Sequence, residues 1–210
     1  NGNVVAVMND YGAAGGIIGK IYGRGEIIGT ETYKIINGGQ IGDYSTYQAG
    51  GIIGRASDNV TNSETITIEY AENNYKGISA KETAGGIIGT GAASVINISN
   101  VTNKLSVVNE KDIKAKCVGG IIGHVNNVTF GENIKCLDGN FVGDTFAGGI
   151  AGKISTSAII NNTPTVSSNI KVSTSGTGEG IGYAGGYFGY VEKASGTLNF
   201  SSSSEISIGE

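Results

Sequence analysis

The chain has 210 residues, with 14 Lys and Arg against 18 Asp and Glu for a formal charge of −4, 37 Gly, one Pro, two Cys and one His. The signs are scattered, which leaves no basic stripe for nucleic acid or an anionic membrane, and no apolar run approaches the roughly 18 residues of a membrane span. The length suffices for a substantial core, and the abundance of Gly, Ile, Val, Thr, Ser and Asn argues against helices of any length.

Six near-copies of one apolar phrase organise the chain. The first is Ala14-Gly15-Gly16-Ile17-Ile18-Gly19, and the others occupy residues 49–54, 84–89, 118–123, 147–152 and 184–189. The last two replace the Ile pair with Ile150-Ala151 and Tyr187-Phe188, and successive starts lie 35, 35, 34, 29 and 37 residues apart. A period held through the chain marks units that cannot bury their own apolar face and must stack on their neighbours, so residues 1–210 read as a single repeat domain.

Between the motifs the apolar residues alternate with period two, in order Thr65 to Tyr70, Gly77 to Lys81, Lys104 to Val107 and Lys171 to Ser173. Turns rich in Asn, Asp, Gly and Ser separate them. Roughly three short strands per repeat of about 34 residues predict an all-β fold, a parallel β-solenoid (β-helix) of about six coils. At about 4.8 Å per coil it would be roughly 30 Å long.

Stacking turns the Ile pair into two ladders, Ile17, Ile52, Ile87, Ile121, Ile150, Tyr187 and Ile18, Ile53, Ile88, Ile122, Ala151, Phe188. Successive side chains of a strand face opposite ways, so one ladder must round a corner into the core or stand on the outer wall under a covering segment. The long Asn-rich connections favour coverage and a two-layered solenoid. Gly15, Gly16 and their copies are expected to thin the wall opposite a bulky neighbour, with the third glycine turning the corner.

The Gly-Gly-Ile-Ile-Gly phrase, followed by a polar turn and a stretch such as Ser94-Val95-Ile96-Asn97-Ile98-Ser99-Asn100-Val101-Thr102, resembles the GLUG repeat family over nearly the whole chain. That family's units read Gly-Gly-Leu-Val-Gly, a polar turn, then Ile-x-Asn and further short strands. It occurs in large secreted and surface proteins of bacteria, including adhesin-like proteins and non-catalytic regions of immunoglobulin A peptidases. The resemblance implies an extracellular solenoid module with no catalytic residues to carry over. This chain departs from it in having Ile for Leu-Val and longer connections.

Individual residues add little chemistry. Tyr33, Tyr44, Tyr47, Tyr70 and Tyr75 lie in or near polar connections, where an exposed ring can stack on sugar or meet a protein; the alternative is that they cap the core with a wet hydroxyl. Asp43 and Asp112 share a position six residues before a motif, but the intervening repeat has Ile78 there, so no carboxylate ladder emerges for a polysaccharide lyase or glycosidase. Thr65 and Thr67 lack the regular copies an ice-binding array needs. Cys117 and Cys136 do not share a coil position, so buried free thiols are expected and a bridge would need a favourable lateral geometry. His124 falls where other repeats carry Lys20, Arg55, Thr90, Lys153 or Tyr190, which reads as a solvated corner. Residues 147–155 hold the Gly-Lys of a phosphate loop at the wrong spacing, with Ile154 in place of Ser or Thr. Neither a cofactor nor a metal site is expected, since one His cannot complete a common zinc set. Six Asn-x-Ser/Thr sequons, at Asn59, Asn97, Asn100, Asn127, Asn161 and Asn199, follow from the composition.

The expectation is therefore a non-catalytic structural and adhesive module of a secreted or cell-surface protein, with a carbohydrate-active β-helix enzyme as the alternative. The partners expected are a host or matrix protein or a glycan. The terminal stretches carry no evident cap, so end-to-end contact with further repeats or another copy is also expected, the chain being a segment of a larger protein or assembly. An export signal would lie upstream of Asn1.

Overall fold

The computed structural model describes residues 4, 12–43, 45–57, 64–74, 77–105, 112–175, 182–192 and 198–200. It is a parallel β-solenoid of about five turns, and the described residues include no helix. Among the described residues every strand pairing is parallel, arranged in a 12-stranded and a 9-stranded sheet. The six motif copies stack in register: Ala14 pairs with Ala49, Ala49 with Ala84, Ala84 with Val118, Val118 with Ala147 and Ala147 with Ala184. Six rungs on one wall enclose five full turns, which is how the sequence count of about six coils and the geometry agree.

In the central turns the short strands fuse into walls. Asp112–Gly119 forms the wall that ends in the motif, Ile122–Phe130 the next, and Lys135–Gly148 the third wall and the return to the following motif. The 29-residue spacing of the fourth repeat comes from this return. Asp138 pairs with Lys104 and Asn140 with Asp112, so Gly139 alone replaces residues 105–111. With a φ of 135° it lets the single strand Lys135–Gly148 run from the third wall back to the motif.

The Ile pair enters one core. Ile52, Ile87, Ile121 and Ile150 are fully buried, as are Ile53, Ile88, Ile122 and Ala151, and both sets belong to a single apolar cluster. The chain bends at the second glycine and first isoleucine, between the strands Thr83–Gly85 and Ile88–Ser99 for example. Both side chains thus point inward, and the expected second layer is not needed to cover either ladder. Each buried Ile contributes roughly 1.5–3 kcal/mol gross.

The glycines act by thinning the wall. A Cβ on Gly86 would overlap the Gly120 carbonyl and the Asn103 side chain, and the same collision recurs at Gly16 with Asn37, Gly120 with Cys136 and Gly149 with Val166. The third glycine does not turn a corner. Gly89 lies inside the strand Ile88–Ser99, and a Cβ there would come 2.5 Å from the Gly54 carbonyl and 2.6 Å from the Ala49 carbonyl of the preceding coil. It is excluded by backbone crowding rather than by torsion.

Opposite the second glycines runs a buried polar ladder that sequence reading missed. Asn37 donates to Asn73 Oδ1 at 2.7 Å, Asn73 donates to Asn103 Oδ1 at 2.8 Å, and Asn103 points its amide at Cys136 Sγ at 3.7 Å. The next rung is Val166. A thiol ends the chain of amides well, because sulfur accepts weakly and its own S–H tolerates the absence of an acceptor.

Candidate functional site

The geometry that can receive a ligand forms where the second wall turns into the third. Lys34, Tyr70, Asn100 and Asn133 occupy equivalent corner positions of four successive coils, fixed by the pairings Ile35 with Ala71, Glu72 with Thr102 and Thr102 with Lys135. Three of them are left-handed, with φ of 54° at Tyr70, 52° at Asn100 and 53° at Asn133. Asn adopts this region readily because its short amide bonds locally, whereas a Tyr there costs roughly 1 kcal/mol more. Asn133 Nδ2 donates to Asn100 Oδ1 at 2.9 Å, tying two rungs together.

These corners line an open groove of about 350 Å³. Glu31 and Glu132 supply carboxylates, and Thr102 and Lys135 complete the lining. Lys34 is also paired to Glu72 at 3.2 Å. The groove is thus rich in groups that donate and accept hydrogen bonds and carries no excess of positive charge.

Of the tyrosines singled out from sequence, Tyr70 lines this groove. Tyr33 sits on the adjoining arch between Gly29 and Lys34, 80% exposed, with its amide bonded to Thr30 Oγ1 at 3.0 Å. Tyr47 is elsewhere, on the motif wall, where its carbonyl accepts from the amides of Glu82 and Thr83. Tyr44 and Tyr75 lie outside the described residues. The groove's other members were invisible without the register: Asn100, Asn133 and Lys34 become neighbours only once coils of unequal length are aligned.

A second cluster lies along the outer fold of the motif. The residue just before each motif stands beside the residue just after it, so Gln48 accepts from Arg55 at 3.5 Å and Thr83 hydrogen-bonds Thr90. In the last coils this seam becomes aromatic. Phe146 stacks on Tyr183 and Tyr190 with centroids 5.9 and 5.0 Å apart, and the Lys153 ammonium sits 5.6 Å from the centre of the Tyr190 ring while pairing with Glu192 at 2.8 Å. Its signal in the sequence was the flank of the motif, Phe146/Lys153 and Tyr183/Tyr190.

His124 belongs to this seam and is not a solvated corner. It lies in the strand Ile122–Phe130, half-buried, with Nε2 at 2.8 Å from Ser155 Oγ. Burial pushes its pKa down to about 4, assisted by the nearby Lys153. Cys117 and Cys136 are free and buried, as expected, and burial pushes both thiols up to about 12. Asp43 and Asp112 do not share a rung. The pairing of Ile41 with Ile78 and Ile78 with Ile113 places Asp43 level with Ala80 and Asp112 level with Gly77. Among the described residues no group of three or more His, Cys, Asp and Glu could hold a metal ion, and no helix is long and apolar enough to cross a membrane.

Comparison of the chain with protein-family models, with curated proteins and with solved structures gives no match.

Proposed function

We propose that the chain is a non-catalytic structural and adhesive module of a secreted or cell-surface protein, built from GLUG-like repeats. The observation that carries this reading is the division of labour along each coil. The repeated phrase is spent on packing, its isoleucines fully buried and its glycines excluded from bearing side chains by the neighbouring coil. The variable residues are left for the corner groove and for the last coils of the motif seam, where Lys153, Tyr183 and Tyr190 reach the surface, an arrangement suited to presenting contact groups at fixed spacing on a rigid rod. The first rung offers a second kind of contact. Ile17 is 51% exposed while its copies from Ile52 to Ile150 are fully buried, so end-to-end contact with further repeats or another copy would be made there.

A carbohydrate-active enzyme is the second reading, favoured by one observation, the presence of both Glu31 and Glu132 in the groove. Incubation of the purified chain with neutral and acidic polysaccharides, followed by assay for reducing and unsaturated ends, separates the two. The scaffold reading expects no product. Product that disappears in both Glu31→Gln and Glu132→Gln would replace it with the enzyme. Arrays of immobilised glycans and matrix proteins test adhesion on the same sample, with binding in the absence of cleavage as the expected result.

A further inference from the structure

We infer that the corner groove is a binding site for an extended, neutral oligosaccharide, with Tyr70 as the residue that gives it affinity; this rests on the adhesive reading above and names its ligand class. Three observations lead to it. The corner positions Lys34, Tyr70, Asn100 and Asn133 repeat once per coil, so at about 4.8 Å per rung they span roughly 14 Å. A lining that repeats along a line suits a polymer with its own regular repeat better than a compact ligand.

The chemistry of the lining selects the polymer. The carboxylates of Glu31 and Glu132 present paired acceptors, and the amide ends not used in the bond between Asn133 and Asn100, Asn100 Nδ2 and Asn133 Oδ1, add a donor and an acceptor, a set that matches the adjacent hydroxyls of a sugar ring. Glu31 and Glu132 offset Lys34 and Lys135, and Glu72 adds a further carboxylate against Lys34. An acidic polysaccharide or phosphate polymer gains nothing from such a field, whereas a neutral saccharide needs only the hydrogen bonds and an aromatic face.

Tyr70 supplies that face at the expense of the fold. Its backbone is left-handed at a position where the next two coils use Asn, the residue that tolerates it best. A residue kept in a conformation that a common substitute would relieve is a mark of use by a ligand. Tyr70→Asn is therefore the informative variant, because folding and binding are expected to move in opposite directions.

The test is calorimetric titration of the full chain with cellohexaose, mannohexaose, maltohexaose and chitohexaose as neutral probes and hexagalacturonate as the acidic one, alongside thermal melts. At least one neutral hexamer is expected to bind, with its trimer and hexagalacturonate at least tenfold weaker. Tyr70→Asn is expected to weaken that binding at least tenfold while Tm holds or rises, and Tyr47→Ala, off the groove, to leave it unchanged. Failure of every neutral hexamer, preference for hexagalacturonate, or unchanged affinity in Tyr70→Asn would overturn the inference. So would a lower Tm for Tyr70→Asn, which would make the ring a support of the fold. Binding of a matrix protein without any saccharide would sink this inference and leave the adhesive module standing; cleavage of the hexamers would sink the non-catalytic reading and leave the saccharide site.

Discussion

At His124 the surroundings favour the neutral imidazole, since burial and the Lys153 ammonium both oppose a second proton, and the pKa falls from 6.5 to about 4. The unfolded chain takes up a proton as pH drops through 6.5, whereas the folded one does so only near 4. The unfolded state therefore binds more protons across that window, and stability falls as pH falls. The expected loss attributable to this group is about 2 kcal/mol between pH 7 and 5. His124→Gln, which keeps a polar partner for Ser155, should remove that component. Urea denaturation of parent and variant at both pH values measures it, and equal pH dependence in the two would show that the ring is solvated after all. Sequence could not have found this, because residues as different as Lys20, Thr90 and Tyr190 share the rung, and the ring's hydrogen-bond partner Ser155 and charged neighbour Lys153 lie on the next coil.

At the scale of the elements, the third wall is held by a polar ladder facing a glycine ladder, and neither is optional for the other. Gly16, Gly51 and Gly86 leave the space that the amides of Asn37, Asn73 and Asn103 occupy. Asn73 sits in the middle of that ladder, accepting from Asn37 and donating to Asn103. Its replacement by Ala leaves a buried Asn103 Oδ1 without its donor and is expected to cost about 2–4 kcal/mol. Asn73→Asp is expected to be worse at neutral pH, because a carboxylate cannot donate to Asn103 and would be a buried charge. Chemical denaturation of the two variants checks the order; an Asp variant as stable as the parent would mean that water reaches the ladder. The glycines and isoleucines were legible in the sequence because the motif carries its own register. The Asn ladder was not, since its members lie 36, 30 and 33 residues apart on the way to Cys136, and those offsets follow connections whose length varies from coil to coil. The corner groove was hidden for the same reason: of its residues Tyr70 stood out by type and Asn100 only as a sequon, and nothing in either placed them side by side.

For the whole molecule the question is whether five turns behave as one unit. In a solenoid each coil contacts only its neighbours, so stability is close to a sum of coil terms and interface terms, and cooperativity depends on the interfaces. Here the interfaces are the ladders themselves, and Ile88 has a buried rung on either side, Ile53 and Ile122. An Asp at that position would place an unpaired charge between two apolar residues, at a cost of more than about 4 kcal/mol. Ile17 begins the partner ladder but is half exposed, so Ile17→Asp should cost no more than about 1 kcal/mol. For a chain of this length the first change should lower Tm by roughly 10 °C or more and the second by no more than roughly 4 °C. The long central strands Ile88–Ser99, Ile122–Phe130 and Lys135–Gly148 bind each coil to the next over most of its circumference, so the Ile88→Asp protein should still melt in one step. Two resolved transitions, or hydrogen-exchange protection retained on one side of the substitution after the other has opened, would show that the coils fold as separate blocks and that the ladder does not carry the coupling.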